Sequence, residues 1–462
     1  MGANPHLALT KMADHYGHIY SIKLGSRLAV VINGASAIRD GLLKRSYFFA
    51  GRPALFSLEV VSGGGHGLAF AGYSRKWTIL RRICEKAVHG SISNGIVYGK
   101  IKEESRRLVQ FFQRLEGKPL NILHGIHFAT ANVMLCLLFD TSFEYDNEDL
   151  LEILEDEHAF QDAMGLANAV DLFPWLKYFT SSNTTKRLQR LADNLLNMIE
   201  KLYRNSKRDY QPGIVRCLAD SLITAAEVGS QSNKENNLTE KDLIHTLFDM
   251  FGAGFDTIAL TIHWAAAYLI VYSDIQRELH QELDRALPKG RPPTFEDRNK
   301  LPLLQATIYE LLRITSLLPE AIPHSTTADL TIAGYTIPKD TLVLVNLWSA
   351  NHDPKVWKDP DVFNPKRFLD EEGHVFDPKD MPSFLPFSAG RRKCLGESLA
   401  YMELFAFLGI LLQNFRFTQE GLDPNQQGVN LTPKFGIGLA VRSFFMRLVP
   451  RELQQMDSTK IK

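Results

Sequence analysis

Cysteine is scarce in this sequence, and the few cysteines are far apart. Only four occur in 462 residues, and no two are spaced Cys-x-x-Cys. The scarcity argues against a disulfide framework and against a zinc or iron–sulfur site built from several cysteines, and it indicates a reducing compartment. An excess of either charge is also absent, because Lys plus Arg and Asp plus Glu each total 52. Nothing in the net charge suggests a nucleic-acid partner.

Glycine motifs that bind nucleotides are missing too. The chain has no Gly-x-Gly-x-x-Gly and no P-loop, and the run Gly63-Gly64-Gly65 has the spacing of neither. No secretory signal opens the sequence, and His6 occupies the position where an N-myristoylation motif requires Ser or Thr. These absences argue against secretion and against a nucleotide-binding site of the Gly-x-Gly-x-x-Gly or P-loop type.

Long hydrophobic runs are limited to one span, Met250 to Tyr272. It contains Asp256 and His263, which are costly inside a bilayer, so a buried helix crossing a large core is favoured over a membrane span. Thr239, with Asp242 three residues further on, forms a capping-box pattern that would begin this helix.

Hydrophobic periodicity predicts a mostly α-helical chain with a small β region. A period of 3.6 residues runs through most of 35–205, whereas alternation predicts a hairpin at 19–32 and further strands at 330–345. The polar stretch 229–237 predicts a mobile surface loop, not a domain boundary, so residues 1–462 are expected to form one domain. An irregular Pro-rich stretch, 352–387, precedes the last cysteine.

That cysteine, Cys394, lies in the stretch Phe387-Ser-Ala-Gly-Arg-Arg-Lys-Cys-Leu-Gly396. A lone cysteine is most often a small buried apolar residue. Here glycines allow the main chain to approach a flat group, Phe387 can shield the sulfur, and Arg392 can pair with a carboxylate. The start of a helix also lowers the pKa of a nearby thiol. A single thiolate suffices only where a macrocycle supplies the other metal ligands, which indicates haem.

The pattern Phe-x-x-Gly-x-Arg-x-Cys-x-Gly, filled at all five positions, resembles the haem-thiolate signature of the cytochrome P-450 family. The resemblance implies the P-450 fold, with haem b (iron protoporphyrin IX) buried between the two core helices that contain Asp256 and Cys394. Cys394 would be the ligand of the iron. The implied cofactor-binding residues of the stretch are Phe387, Gly390, Arg392, Cys394 and Gly396.

A second match lies in the long helix, at Ala253-Gly254-Phe255-Asp256-Thr257. Glycine inside a helix costs about 1 kcal/mol relative to Ala, and a buried acid is also costly, so either a kink, a solvated face or a function must account for them. The resemblance identifies the segment as the oxygen-binding groove and Ala253 as part of it. Gly254 would open the helix over the iron, Thr257 would donate a hydrogen bond to the bound dioxygen, and Asp256 would help deliver protons.

Two pairs of residues gain a role only from the resemblance. Glu310-Leu-Leu-Arg313 alone is an ordinary i,i+3 helix pair, but in P-450s such a pair closes a buried structural network with the arginine that matches Arg367. Trp77 and Arg81 fall on one helix face, as either a surface pair or a carboxylate-binding pair. The resemblance joins Trp77, Arg81, His324 and Arg392 into the set that binds the haem propionates.

The resemblance implies three partners: dioxygen, a small lipophilic substrate and an NADPH-dependent flavoprotein reductase. The missing dinucleotide motif agrees with an external electron source. A row of basic residues would be either a solvated face or the docking patch for an acidic electron donor. It comprises Lys76, Arg82, Lys86 and Lys393.

The substrate class is left between two branches of the family. Stretches 249–257, 322–327 and 351–354 resemble the family 1 aryl hydrocarbon hydroxylases, and 170–178 resembles the steroid 17α-hydroxylases. Ala163 matches the position of a steroid-binding Asn in the latter, which favours planar aromatic substrates, with 17α-hydroxylase/17,20-lyase as the alternative. The implied pocket residues are Phe70, Leu172, Leu318 and Ile322.

The resemblance places the protein on the cytoplasmic face of the endoplasmic reticulum membrane. The usual N-terminal anchor and Pro-rich hinge are missing, so only peripheral membrane contact is expected, through an apolar segment that also fits a core helix. Two further alternatives are a haem-thiolate isomerase or dehydratase, which Asp256 and Thr257 argue against, and a truncated non-catalytic form. The apolar segment comprises Leu172, Phe173, Trp175, Leu176 and Phe179.

Overall fold

The computed structural model describes residues 4–164, 169–178, 183–232, 238–288, 290–423 and 426–451. The α-helices within these ranges are α1 (Pro5–Tyr16), α2 (Ala35–Arg39), α3 (Phe56–Val61), α4 (Arg75–Ser93), α5 (Ile96–Gln113), α6 (Leu123–Phe139), α7 (Glu148–Ala163), α8 (Ala169–Leu172), α9 (Asn183–Arg208), α10 (Leu218–Ser232), α11 (Glu240–Val271), α12 (Ser273–Ala286), α13 (Pro302–Thr315), α14 (Trp348–Asn351) and α15 (Glu397–Asn414). The strands are β1 (Ile19–Leu24), β2 (Arg27–Asn33), β3 (His324–Ser325), β4 (Leu330–Ile332), β5 (Tyr335–Ile337), β6 (Leu342–Asn346), β7 (Phe415–Thr418), β8 (Lys434–Phe435), β9 (Leu439–Ala440) and β10 (Arg447–Pro450). The predicted mostly α fold with a small β region is confirmed.

The long helix α11 runs through the main hydrophobic core. It begins at the predicted capping box, where the Thr239 N–H donates to the Asp242 carboxylate at 2.9 Å and the Thr239 hydroxyl accepts from the Asp242 N–H at 3.3 Å. Helices α6 and α15 pack against α11 and, like it, are buried around most of their circumference. Helix α11 is long and apolar enough to span a membrane, but 78% of its apolar window is buried inside the protein, as in a core helix.

The largest sheet has the strand order β1-β2-β6-β3. Strands β1 and β2 form the predicted hairpin, and β2 then pairs parallel with β6. Strand β3 pairs with β6 and sets His324 opposite Val343, while Gly51 bridges to Ser325. This pairing brings the loop around residue 51 and the strand of His324 together at one edge of the core.

A buried ion network ties the irregular stretch 352–387 to α13. Arg313 donates to both carboxylate oxygens of Glu310, at 2.7 and 2.9 Å, and neither side chain is accessible to solvent. The Nε of Arg367 donates to the same carboxylate at 3.1 Å. The other N–H groups of both arginines donate to backbone carbonyls between residues 351 and 362. The three-residue network implied by the resemblance is therefore present, and it holds loop backbone in place.

The prediction of a loop at 229–237 is wrong for its first four residues. Helix α10 continues through Ser232, and residues 233–237 lie outside the described residues. A single glycine, Gly229, costs a helix only about 1 kcal/mol, and Gln and Ser are tolerated in a last turn, so polar composition did not end the helix.

Candidate active site

The loop that carries Cys394 folds against the start of α15. The Cys394 N–H donates to the Phe387 carbonyl at 3.0 Å, and Gly396 is the residue from which α15 begins. The thiol faces a cavity inside the protein. Burial raises the pKa of the Cys394 thiol, and the Gly396 N–H offsets this only in part. The expected lowering of the pKa is wrong for the protein alone: the Cys394 side chain is accessible from the cavity, but the protein atoms that enclose it disfavour the thiolate more than the helix start favours it.

Helix α11 and the Cys394 loop line this cavity together. It brings most of the sequence-predicted site residues to one place: Ala253, Gly254, Thr257, Phe387, Cys394, Gly396, Arg81, His324, Arg392, Leu318 and Ile322. Five predicted residues are not among its walls: Phe70, Trp77, Leu172, Asp256 and Gly390. We refer to it as the thiol cavity.

Two glycines serve packing roles that the sequence did not reveal. Gly390 has a φ of +74°, and a Cβ there would overlap the backbone carbonyl oxygen of Leu42. Its lack of a side chain thus admits another backbone segment rather than a flat cofactor. Gly254 does not open α11, which is an unbroken helix at this point, but a Cβ would overlap the Met134 side chain of α6. It lets α6 pack closely against α11 while lining the thiol cavity.

Arg392 and Trp77 form a stacked pair at the edge of the thiol cavity. The guanidinium carbon lies 4.0 Å from the centroid of the indole. Arg392 donates at 2.8–3.0 Å to the backbone carbonyls of residues 50, 68 and 71, and the Trp77 Nε1–H donates to that of Leu68 at 2.9 Å. Burial lowers the pKa of Arg392 to about 8. A partly buried cation held by neutral carbonyls is well suited to meet an anion.

Arg81 and His324 complete the predicted carboxylate-binding set. Arg81 donates to the Lys393 carbonyl at 2.7 Å and pairs with Glu85 at 2.8 Å. The Nδ1 of His324 lies 2.6 Å from the Phe49 carbonyl, and burial lowers the pKa of His324 to about 3. His324 is therefore neutral at physiological pH and can offer only a neutral hydrogen bond to a ligand.

Sequence reasoning missed three ionisable groups in the walls of this cavity. Arg52 donates to backbone carbonyls of residues 69, 322 and 323, and burial lowers its pKa to about 9. Asp249 accepts the N–H groups of Leu68 and Ala69 at 2.6 and 2.8 Å, yet burial still raises its pKa to about 7. Burial also raises the pKa of Glu403 well above its usual value. Asp249 and Asp256 are two helical turns apart, a spacing that could have signalled a shared face.

Comparison with known proteins now decides the family. A family model described as "Cytochrome P450" matches residues 1–438. The chain belongs to the cytochrome P450 family. Steroid 17-alpha-hydroxylase/17,20 lyase of Gallus gallus is 36% identical over 97% of this chain and 88% of its own length. Cytochrome P450 1A1 of Oncorhynchus mykiss is 34% identical over 94% of this chain and 84% of its own length, and cytochrome P450 1B1 of Homo sapiens is 33% identical over 99% and 86%.

The predicted resemblance to both branches is therefore confirmed. As a P450, the protein is an oxidoreductase of the monooxygenase type with a haem-thiolate cofactor. The donors of the thiol cavity fit such a group. Cys394 offers a soft sulfur ligand, and Arg81, Arg392 and His324 offer donors for carboxylates. Apolar residues make up most of the remaining wall, as a flat macrocycle requires.

Asp256 of this P450 has a partner that the sequence did not predict. Its Oδ1 lies 3.1 Å from Nε2 of His127 on α6, and both side chains are buried. One turn before Asp256, Ala253 provides the carbonyl that accepts a hydrogen bond from the Thr257 hydroxyl at 2.8 Å. His127 on α6 thus contacts the Asp256 carboxyl group, while the Thr257 hydroxyl lies on the side of α11 that lines the thiol cavity.

A second cavity adjoins the thiol cavity and shares with it Ala253, Thr257, Leu318 and Ile322. Phe70 and Asp256 line it, together with Phe160, Phe248 and Asn194. Leu172 instead lines a third, smaller cavity, which also includes Phe70 and Ile322. The side chain of Ala163 lies outside the described residues. We call the second cavity the substrate cavity and the third the side cavity.

The basic row is partly neutralised in the structure. Lys76 pairs with Asp242 at 2.9 Å, and Lys393 pairs with Glu397. Arg82 and Lys86 are exposed, and no ion pair within the described residues involves either. Of the four predicted positions, these two carry positive charge that no acid neutralises within the described residues.

Proposed function

We propose that this P450 binds haem b through Cys394 and inserts one oxygen atom of dioxygen into small, lipophilic, planar aromatic molecules. The observation that carries the proposal is the shared wall between the thiol cavity and the substrate cavity, which includes Ala253 and Thr257. A substrate in the second cavity would lie next to a cofactor in the first. The walls span residues 52 to 438, in keeping with a single catalytic domain.

Five groups would hold the cofactor. Cys394 would ligate the iron, Phe387 would shield the sulfur, and Arg81, Arg392 and His324 would bind the propionates. Trp77 would act by supporting Arg392, on whose guanidinium it stacks. A Cβ at Gly396 would lie 4.0 Å from Sγ, an ordinary van der Waals contact, so space at the sulfur does not by itself require glycine there. When bound, haem supplies the redox chemistry that reduces dioxygen and cleaves its O–O bond.

The protein's contribution to oxygen chemistry would come from α11. Thr257 can turn its hydroxyl from the Ala253 carbonyl toward the thiol cavity and orient a proton donor there. Asp256, held by His127, would deliver protons from the opposite side of that hydroxyl. Retention of both groups favours oxygenation over isomerase or dehydratase chemistry, which needs no proton delivery to dioxygen.

Planar aromatic substrates suit the walls of the substrate cavity. Three phenylalanines, Phe70, Phe160 and Phe248, line it, and such rings pack favourably against flat ligands. Asn194 favours the second candidate, steroid 17α-hydroxylation, because its amide also lines the cavity and could bind the far oxygen of a steroid. At present that amide donates to Glu152 at 3.2 Å.

The test compares turnover per haem for an alkoxyaromatic ether and for progesterone. Faster O-dealkylation of the ether supports the proposal. Faster 17-hydroxylation of progesterone assigns the protein to the second candidate.

The proposed electron source is an NADPH-dependent flavoprotein reductase that docks on Arg82 and Lys86. Both lie on α4, which also carries Arg81 at the thiol cavity. Electrons would therefore enter close to the cofactor.

The proposed location is the cytoplasmic face of the endoplasmic reticulum membrane, with peripheral contact through an apolar surface. Leu28, Phe173 and Trp175 are 59%, 37% and 56% exposed. Leu28 belongs to the β1–β2 hairpin, which contacts the segment of Phe173 and Trp175. The Ser26 N–H of this hairpin donates to the Leu172 carbonyl at 3.0 Å. Phe179 lies outside the described residues.

A further inference from the structure

Glu320 is a buried acid that none of the roles above explains. It lies in the turn between α13 and β3, is 4% exposed, and both its carboxylate oxygens lack a hydrogen-bond partner within the described residues. The turn itself is fixed, because Pro319 accepts from the Trp348 N–H at 3.0 Å and the Ala321 N–H donates to Leu318 at 3.2 Å. An unpaired buried carboxyl is destabilising, so its retention needs a reason.

The side cavity provides space beside Glu320 for a hydrogen-bonding group of a ligand. Glu320 lines it together with a second acid, Asp171, whose oxygens accept from the Ser57 N–H at 2.9 Å and the Ser57 hydroxyl at 2.5 Å. No Lys, Arg or His occurs among the lining residues that the structure describes. Two carboxyl groups without a cation make this cavity selective for a group that donates hydrogen bonds and carries positive charge.

The side cavity adjoins the substrate cavity. The two share Phe70, Ile322 and Ile437 as walls. Its volume is about 40 Å³, whereas about 10–15 Å³ on the same measure is enough to hold one water. A primary ammonium group, which is about the size of a water, fits such a space.

We propose that Glu320 forms the polar end of the substrate site and binds the ammonium group of a lipophilic primary amine whose ring system lies in the substrate cavity. The inference rests on the proposed function for the position of the ring. Burial raises the pKa of Glu320 to about 8, so the carboxyl often enters the complex protonated. Because a primary alkylamine is already an ammonium ion at neutral pH, the carboxyl releases its O–H proton to solvent as the ammonium group binds, and a carboxylate–ammonium pair forms.

The test uses two ligands that differ only at one end. They are 2-(6-methoxynaphthalen-2-yl)ethanamine and 2-methoxy-6-propylnaphthalene, in which a methyl group replaces the amino group. Equilibrium dialysis against the haem-loaded protein gives the ratio of their dissociation constants without requiring turnover. The variants are Glu320→Gln, which keeps the shape, Glu320→Leu, which removes polarity, and Glu371→Gln, which removes an exposed acid as a control.

We expect Glu320→Gln to reduce the preference for the amine by about 10- to 100-fold, the strength of a charge-assisted hydrogen bond. Glu320→Leu should lose the preference as well and bind the propyl compound more tightly than the wild type does, whereas Glu371→Gln should behave as wild type. An unchanged ratio in both Glu320 variants would overturn the proposal.

O-demethylation of the same two ethers tests the proposed function separately. If the wild type demethylates the propyl compound but its amine preference does not depend on Glu320, only the ammonium site is wrong. If neither ether is demethylated and the Glu320-dependent preference persists, the ammonium site stands and the proposed reaction is wrong.

Discussion

His127 on α6 and Asp256 on α11 are joined across the core, with 3.1 Å between Nε2 and Oδ1. Both side chains are buried, so the contact with the imidazole helps to fix the position of the Asp256 carboxyl group. The contact connects the proposed proton donor to a helix that does not line the substrate cavity.

His127→Phe should lower the product formed per NADPH consumed, because Asp256 would lose the group that positions it. Proton transfer by a positioned side chain contributes about 10²- to 10⁴-fold, so the loss of a positioning contact should cost roughly tenfold. Haem content should stay at the wild-type level. The control is His124→Phe, one turn earlier on α6 and exposed; if it lowers the ratio equally, the contact has no special role.

Arg313→Leu should destabilise the fold strongly, because it leaves the buried Glu310 carboxylate without its bidentate partner. Removing one member of a buried pair costs about 3–5 kcal/mol in the free energy of unfolding. The control is Lys366→Ala, which breaks an exposed pair with Glu278 and should cost about 0–1 kcal/mol. Denaturant unfolding measures both, and comparable losses would show that burial of the network is unimportant.

Gly390→Ala should lower the melting temperature far more than Gly213→Ala. Both glycines have positive φ, +74° and +88°, so each substitution strains the backbone by about 1 kcal/mol. At Gly390 the new methyl group would also meet the Leu42 carbonyl, whereas nothing lies within 4 Å at Gly213. Equal shifts in melting temperature would indicate that the Leu42 contact yields easily.

Charge reversal at Arg82 and Lys86 should slow turnover supported by the reductase by about tenfold at low salt, and by less as salt rises. Turnover driven by added peroxide should not change, since it bypasses docking. Lys393→Glu should have a smaller effect, because that lysine is already paired with Glu397. Lys11→Glu serves as the exposed control, and an equal loss there would exclude a specific docking face.

Local patterns predicted much of the fold. The capping box at Thr239, the hairpin at 19–32 and the buried character of α11 depend on residues close in sequence, and all three are present. The reason for Gly390 could not be predicted, because Leu42 is remote in the chain and meets it only after folding. The same applies to Arg52, whose partners include carbonyls of residues 322 and 323.

The site was predictable where a motif fixes both identity and spacing. The Cys394 stretch and the Ala253–Thr257 segment line one cavity, as the resemblance implied. Side-chain partners were not predictable, since no pattern around Asp256 indicates His127. The thiol pKa was predicted in the wrong direction because the sequence shows a helix start but not how much of the folded protein surrounds the sulfur.

The central claim is that Cys394 is the thiolate ligand of a haem in the thiol cavity. The most direct measurement is the carbon monoxide difference spectrum of the reduced, haem-loaded protein, for wild type, Cys394→Ala and the control Cys136→Ala. We predict a red-shifted Soret band of thiolate-ligated haem in the wild type and in Cys136→Ala, and its complete loss in Cys394→Ala. A wild-type spectrum in Cys394→Ala would contradict the account.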